Sequence, residues 1–305
     1  MSVQRESNES VVEANGIKIC YDEFGDPAST PLLLVMGLAA QMIVWEVDFC
    51  NDLAARGFRV IRFDNRDIGK STHFSDAPAP AMNEIFMAAM TKRPLPIAYT
   101  LRDMAADAMG LLDALGIATA HVVGLSMGGA IAQEIAINFP ARVRSLTSIM
   151  ASSGNPNLPP PSAAGLGVLT RPRPATREAY VADYVANWQV LNGPNFAFDE
   201  ARTRAQAELG YERGLNPDGV SRQMLAIVAS GDRRDALHRV ALPALVIHGS
   251  ADPLVPVEAG RDTAASIPGA ELVIVEGMGH TLPRAAWPRV IDAIARHASA
   301  ALPNS

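Results

Sequence analysis

A serine flanked by glycines, at the junction of two different hydrophobic patterns, is the feature that most limits how this chain can fold. The pentapeptide is Gly124-Leu125-Ser126-Met127-Gly128. Residues 121–123 before it form a β-branched run typical of a strand buried in a parallel sheet. Residues 127–136 after it predict a helix that ends near Pro140. A strand that passes directly into a helix needs a sharp turn, and small residues two positions before and after the serine permit one.

The same alternation of strand and helix patterns continues on both sides of this turn. An opening hairpin is predicted over residues 11–14 and 17–21, and further strands over 32–36, 58–63, 143–150, 244–248 and 271–275. Helices are predicted over 44–56, 100–115, 258–267 and 288–298, with Thr100 and Asp103 as a capping pair for the second. Strands and helices in this order predict an α/β fold, with a mostly parallel, twisted sheet and helices on both faces.

The alternation is interrupted between residues 152 and 238. This segment begins with a stretch rich in Pro, Gly and Ser, and continues as helical patterns without a strand pattern. We therefore expect a core formed by residues 1–151 and 239–305, with a helical lid inserted over residues 152–238. Large apolar residues recur in the lid at helical spacings, namely Trp188, Phe196, Phe198, Tyr211, Met224 and Leu225.

Composition argues against several classes of partner. The 305 residues are 49% hydrophobic and carry a formal net charge of −6, which disfavours nucleic acid and anionic membrane surfaces. The sequence has no run of about 18 apolar residues, and its first ten residues lack the apolar stretch of a secretion signal. We therefore expect a cytoplasmic protein with no membrane or nucleic-acid partner. Cys20 and Cys50 are expected to be buried free thiols.

Two candidate partners for Ser126 follow predicted strands, where sites form in open parallel sheets. His280 ends the glycine-rich turn Gly277-Met278-Gly279-His280 and is the predicted general base, a structural loop histidine being the alternative. Asp252 precedes Pro253 and is the predicted acid that hydrogen-bonds to the imidazole, a helix N-cap or an Asx-turn being the alternative. The other histidines are predicted to be core residues (His121, His248) or loop and helix-surface residues (His73, His238, His297).

Backbone N–H groups are predicted to complete this site. One belongs to Met127, at the start of the helix after Ser126, and the other to Leu38, after the strand over 32–36. Residues 64–71 end like a phosphate-binding loop, but Asp64 occupies the position that requires glycine, so a structural turn pinned by Asp64 and Arg66 is predicted instead. No metal-ligand spacing occurs, and neither a metal nor a cofactor is expected.

The motifs resemble the α/β-hydrolase superfamily over nearly the whole chain, and within it the aclacinomycin methylesterase group. The runs that carry the resemblance are Phe24-Gly25-Asp26-Pro27, Leu32-Leu33-Leu34-Val35-Met36-Gly37 and residues 60–72, 121–128 and 277–280. The chain order Ser126, Asp252, His280 is the order of the catalytic residues in that superfamily. Many members have His-Gly where this chain has Met36-Gly37, a difference that leaves a main-chain donor in place.

The resemblance implies hydrolysis of a carboxylic ester through an acyl-enzyme formed on Ser126. The expected partner is a small-molecule ester, apolar or aromatic, and the lid is expected to select substrates and exclude water without contributing a catalytic group. Cofactor-free perhydrolysis or carbon–carbon bond hydrolysis on the same scaffold are the alternative reactions. A non-catalytic ligand receptor is the alternative of a different class. Nothing in the sequence indicates an oligomeric state.

Overall fold

A single eight-stranded sheet organises the part of the chain that the structure, a computed structural model, describes, namely residues 9–171, 174 and 176–301. Its strands are β1 (Ser10–Ala14), β2 (Ile17–Phe24), β3 (Thr30–Val35), β4 (Phe58–Phe63), β5 (Ala120–Leu125), β6 (Val143–Ile149), β7 (Ala244–Gly249) and β8 (Glu271–Val275). They lie in the order β1-β2-β4-β3-β5-β6-β7-β8. Strand β2 runs antiparallel to β1 and β4, and the other neighbouring strands are parallel. The predicted α/β fold is confirmed.

Eleven helices accompany this sheet in the described part of the chain, and the five with predicted bounds, α1, α3, α4, α10 and α11, lie close to them, whereas α2 was not predicted. They are α1 (Val47–Ala54), α2 (Met82–Thr91), α3 (Leu101–Ala114), α4 (Met127–Asn138), α5 (Ala163–Thr170), α6 (Arg177–Leu191), α7 (Glu200–Arg213), α8 (Pro217–Ser230), α9 (Arg234–Leu237), α10 (Val257–Ser266) and α11 (Trp287–Ala300). The helix predicted over 44–56 starts later, because Met42–Val44 form a separate 3₁₀ turn before α1.

Side chains of the central strands point alternately to two hydrophobic layers. In β3, Leu33 and Val35 pack in the cluster that contains the apolar faces of α3 and α4. Leu32 and Leu34 pack in a second cluster, with residues of α1 and α11. This period of two follows from strand geometry. Because both faces are covered by helices, the strands are apolar runs and the chemistry lies at their carboxyl ends.

Local sequence signals account for the boundaries of several elements. Asn15 and Gly16 join β1 to β2 with φ values of 50° and 77°, which fits the tight hairpin turn predicted from the Asn-Gly pair. Thr100 caps α3: its side chain accepts from the N–H of Asp103, whose carboxylate accepts in return from the N–H of Thr100. This reciprocal pair is the predicted capping box.

The segment between β6 and β7 contains α5 to α9, and its described residues include no strand. It is attached to the core by buried ion pairs: Arg213 of α7 pairs with Asp64, and Arg222 of α8 pairs with Asp67 at 2.7 Å. The division of the chain into a core and a lid over 152–238 stays a prediction. None of the helices described is both long enough and apolar enough to cross a bilayer.

Single residues agree with the sequence expectations in most cases. Cys20 and Cys50 are free and buried, and burial raises the pKa of each thiol to about 12. The prediction that His297 lies on a helix surface is wrong, because the side chain is buried on the inner face of α11. Residues 1–8, which form most of the stretch examined for a secretion signal, lie outside the described residues.

Candidate active site

Ser126 occupies a strained turn between β5 and α4. Its φ of 56° and ψ of −122° are unfavourable for a residue with a side chain, and such strain persists only where the surroundings enforce it. The two glycines make the turn possible. A Cβ on Gly124 would overlap the carbonyl oxygen of Gly128, and a Cβ on Gly128 would overlap that of Val35. The predicted requirement for small residues on both sides of Ser126 therefore has a direct steric cause.

A continuous chain of hydrogen bonds joins Ser126, His280 and Asp252. The Ser126 Oγ lies 2.9 Å from His280 Nε2, and His280 Nδ1 lies 2.6 Å from Asp252 Oδ2. His280 and Asp252 are each 7% exposed, and Ser126 is half-buried. An ionised carboxylate can only accept, so Nδ1 carries the proton and the unprotonated Nε2 faces the serine hydroxyl. The structure thus brings together the three residues that the sequence singled out.

The carboxylate of Asp252 also organises its own loop. While Oδ2 faces His280, Oδ1 accepts hydrogen bonds of 2.8 Å from the N–H groups of both Leu254 and Val255. The Asx-turn that was the structural alternative for Asp252 is therefore present alongside the contact with His280. Because the backbone holds one oxygen, the other is fixed in its direction toward the imidazole.

His248 lies beneath the carboxylate and was not predicted to belong to the site. Its Nε2 donates to the carbonyl oxygen of Val255 at 2.8 Å and lies 3.6 Å from Asp252 Oδ2. Burial lowers its pKa, so the ring is neutral near pH 7. The side chain therefore supports the loop that carries Asp252. Its position at the end of β7, four residues before Asp252, was the only available signal, and that spacing alone does not predict a contact.

The turn that carries His280 is fastened to the end of α6. The N–H of His280 donates to the carbonyl oxygen of Leu191 at 2.7 Å, and that of Gly279 donates to Asn192 at 3.2 Å. A Cβ on Gly279 would overlap the Leu191 carbonyl oxygen. Glycine is thus required because two backbone segments approach closely here, and one of them belongs to the predicted lid.

The loop after β3 lies beside Ser126. A Cβ built on Gly37 would be 3.1 Å from the Ser126 Cβ and 3.6 Å from its Oγ. Neither the Leu38 nor the Met127 N–H donates to a protein acceptor within the described residues. Met127 is the first residue of α4, so its N–H is one of the unpaired groups at the positive end of that helix. Their pairing with a substrate oxygen stays a prediction.

The loop after β4 contains a structural turn at residues 64–71, as predicted, and it is held by Asp64, whereas the side chain of Arg66 pairs with Asp107 of α3. Asp64 accepts from the N–H groups of Met42 at 2.7 Å and Lys70 at 3.0 Å, and also pairs with Arg213. A Cβ on Gly69 would overlap the Asp64 carboxylate. The carboxylate therefore fills the space within the turn, which has no room for a phosphate group.

A cleft lies where the loop after β3 meets the segment between β6 and β7. Its volume is about 460 Å³, including space open to solvent. Ala39, Gln41, Ile68 and Gly69 form the core side, and the lining residues from the segment between β6 and β7 are Pro174, Tyr180, Gly214, Leu215, Asn216, Pro217 and Val220. Elsewhere, the described residues include no cluster of three or more His, Cys, Asp or Glu side chains that could hold a metal ion.

Comparisons with known proteins agree with this architecture. Residues 30–283 match the family of the alpha/beta hydrolase fold. Rhodomycin D methylesterase DnrP of Streptomyces peucetius is 34% identical over 93% of this chain and 96% of its own length. Rhodomycin D methylesterase DauP of Streptomyces sp. (strain C5) is 31% identical over 95% of this chain and 98% of its own length.

Solved structures show the same fold at lower identity. A meta-cleavage product hydrolase from Pseudomonas fluorescens superposes with a TM-score of 0.73 at 20% identity, over 96% of this chain and 98% of that one. At that identity the likeness concerns the fold alone. Given the family match over most of the sequence and the methylesterase relatives over nearly all of it, the chain belongs to the α/β-hydrolase family and resembles its aclacinomycin methylesterase group.

Proposed function

We propose that this protein hydrolyses carboxylic esters through an acyl-enzyme, with Ser126 as nucleophile, His280 as general base and Asp252 as the acid that orients the imidazole. The methylesterase relatives and the fold support an ester hydrolase. The observation that carries the finer assignment is the hydrogen-bond chain of 2.9 and 2.6 Å from Ser126 Oγ through His280 to Asp252. A hydroxyl becomes a competent nucleophile when a positioned base takes its proton in this way.

In the first half of the reaction, Ser126 Oγ attacks the ester carbonyl carbon as its proton moves to His280 Nε2. The developing oxyanion accepts hydrogen bonds from the N–H groups of Met127 and Leu38. Donors of this kind are effective because they are already aligned before charge develops, and losing one typically costs about 3 kcal/mol of barrier height. His280 then protonates the departing alcohol, while the Asp252 carboxylate stabilises the imidazolium.

In the second half, a water molecule takes the place of the alcohol. His280 removes its proton as the water oxygen attacks the acyl carbon, and the proton passes to Ser126 Oγ when the acyl bond breaks. The carboxylic acid leaves and the serine is restored. Apart from the substrate and this water molecule, each step uses side chains and backbone groups of this chain.

For the substrate, we propose a small-molecule ester whose acyl part is apolar or aromatic. Methylesterase activity in the relatives supports methanol as the departing alcohol. The cleft beside Ala39 is lined in part by Ile68, Tyr180, Leu215 and Val220, and by neither Ser126 nor His280. We propose that it takes the end of an apolar acyl part that lies away from the reacting carbonyl. We further propose that residues 152–238 act as the lid, because the helices that line this cleft lie in that segment.

Covalent labelling tests this proposal. A fluorophosphonate is expected to modify Ser126 stoichiometrically, which peptide mapping by mass spectrometry would locate. Hydrolysis of p-nitrophenyl esters of graded acyl length, and of a bulky aromatic methyl ester, is expected to disappear in Ser126→Ala. Ser148→Ala is a suitable control, because that buried serine lies on β6. Full esterase activity in Ser126→Ala would exclude the proposed nucleophile.

A further inference from the structure

Gln223 of α8 is a fully buried amide that joins two loops of the core. Its side chain is 0% exposed. Its Oε1 accepts a hydrogen bond of 3.2 Å from the N–H of Ala39, and its Nε2 donates one of 2.9 Å to the carbonyl oxygen of Arg66. Because one partner is a donor and the other an acceptor, the orientation of the amide is unique. A residue of the predicted lid thus reaches into the core beneath it.

The loop that Gln223 holds is the one that carries the proposed Leu38 donor. Ala39, which follows Leu38, has a φ of 61°, a left-handed conformation that is unfavourable for a residue with a Cβ. Such a conformation needs support from its surroundings. The hydrogen bond from the Ala39 N–H to Gln223 supplies that support one residue away from the donor, while Gly37 on the other side lies against Ser126.

We propose that Gln223 is a positioning residue for catalysis, which fixes the Leu38 N–H in the direction of the oxyanion. This inference rests on the function proposed above and extends it. The segment between β6 and β7 then sets the geometry of the reaction centre, in addition to selecting substrates. The hydrogen bonds of its amide go to the backbone of Ala39 and Arg66, neither of which is a reacting group, so Gln223 acts through the loop that it holds.

The expected consequence is a defect in kcat. Removing the amide leaves the Ala39 N–H without its buried acceptor, and the strained loop relaxes. Oxyanion stabilisation depends steeply on donor position, so a displacement of Leu38 by a fraction of an ångström is expected to lower kcat by about 10- to 100-fold. KM for a small p-nitrophenyl ester is expected to change by less than about threefold, because the ground-state carbonyl gains little from the donors.

The test compares Gln223→Met with Gln206→Met. Methionine is close to glutamine in volume but cannot form either hydrogen bond. Gln206 is a matched control, since it lies in α7 of the same segment and also bridges to the core, donating to the Ile43 carbonyl oxygen and accepting from Tyr184. Gln206→Met is expected to keep its kcat within about twofold, even where both variants lower the melting temperature equally.

A boronic acid inhibitor provides the readout that a merely structural role would not change. Its adduct with Ser126 is tetrahedral and places an oxygen where the oxyanion forms, so Ki is expected to rise by the same factor by which kcat falls. Gln223→Glu, as the neutral acid that complete burial favours, retains an acceptor for the Ala39 N–H and a donor for the Arg66 carbonyl oxygen, and is expected to lose less than Gln223→Met on both measures. It also provides the comparison with wild type if the methionine variant does not fold.

The outcomes separate this inference from the proposed function. Unchanged kcat and boronate Ki in folded Gln223 variants would overturn the positioning role while leaving Ser126 as nucleophile. A fall in kcat without a matching rise in boronate Ki would also overturn it, since the loss would then lie outside the oxyanion contacts. Failure of the proposed function is recognised instead by esterase activity that survives Ser126→Ala in a protein with Gln223 intact.

Discussion

At the scale of single residues, the site depends on the two carboxylate oxygens of Asp252, which bind different partners. Asp252 directs Oδ2 to His280 and Oδ1 to the N–H groups of Leu254 and Val255. An asparagine could keep the Oδ1 contacts and so preserve the loop. Its amide nitrogen would then face His280 Nδ1, which favours the imidazole tautomer with the proton on Nε2. A proton there would leave the Ser126 hydroxyl without a base.

Asp252→Asn is therefore expected to fold normally and to lose about 10⁴-fold in kcat, with little change in KM. The measurements are circular dichroism and steady-state hydrolysis of a p-nitrophenyl ester. Asp262→Asn is the matched control, because Asp262 also accepts hydrogen bonds from its neighbours, Ser153 and Asn155, and has no contact with His280. Turnover close to wild type in Asp252→Asn would place the catalytic acid elsewhere.

The residues at strand ends could be predicted from the sequence because their positions follow from local patterns. Ser126, Asp252 and His280 each come just after an apolar run, and parallel strands bring their carboxyl ends to one edge of the sheet. The contacts of Gln223 could not be predicted, because they depend on how distant segments pack. Those of His248 lie within seven residues of it, but they depend on the path of the loop after β7, which has no repeating pattern. Gln223 meets a residue 184 positions away, and no period in the sequence encodes that distance.

At the scale of secondary-structure elements, the sharpest constraint is the close approach between the end of α6 and the turn before His280. Helix boundaries were predicted well where a cap or glycine marks them, as at Thr100 before α3. They were predicted less well at α1. An apolar 3₁₀ turn precedes this helix, so the apolar pattern begins before the helix does. His297 was misassigned because α11 buries a face wider than its polar composition suggested.

Gly279→Ala tests the contact between α6 and the His280 turn. The added Cβ would overlap the Leu191 carbonyl oxygen, so the turn must move away from α6 and carry His280 with it. We expect a fall in kcat of about 100-fold, since a shift of about 1 Å in a catalytic group has effects of that size. Hydrolysis kinetics and the pH profile of kcat are the measurements.

Gly167→Ala is the control for this substitution. Gly167 lies within α5, and nothing is found within 4 Å of a Cβ built on it. Alanine there is expected to leave kcat unchanged and to stabilise the protein by up to about 1 kcal/mol, because it reduces the freedom of the unfolded chain. Equal kinetics for the two variants would show that the α6 contact does not position His280.

At the scale of the whole molecule, buried polar groups connect the segment between β6 and β7 to the core. Arg222 forms two hydrogen bonds with the Asp67 carboxylate, which also accepts from Tyr99, and the hydrogen bonds from Arg222 help to keep the pKa of Asp67 below its usual range. A buried pair that loses one partner typically costs about 3 to 5 kcal/mol. The segment is therefore expected to unfold together with the core.

Buried histidines give the clearest pH effect at this scale. Burial, followed by the charge of Arg144, lowers the pKa of His121 to about 4, and burial also lowers the pKa values of His248 and His297. Below a pH of about 6.5 the unfolded chain binds protons that the folded protein excludes, so these residues make stability fall as pH falls. Asp64 has the opposite effect on stability. Burial raises its pKa to about 6, so below that pH the folded protein binds a proton that the unfolded chain does not, and this residue makes stability rise as pH falls toward about 4.

The contribution of His121 can be isolated by comparing wild type with His121→Gln. His121 lies in β5, its Nδ1 is 2.8 Å from Ser145 Oγ, and its Nε2 has no hydrogen-bond partner within the described residues. Lowering the pH from 7.5 to 5 is expected to cost wild type about 2 kcal/mol more in free energy of unfolding than the glutamine variant, which has no proton to bind at this position. Urea titrations at both pH values measure this difference.

His238→Gln, a change at the end of α9 outside the core, is expected to show the wild-type pH dependence. If His121→Gln and wild type lose stability in parallel, the imidazole of His121 accepts its proton within the folded protein, and the acid sensitivity has another source.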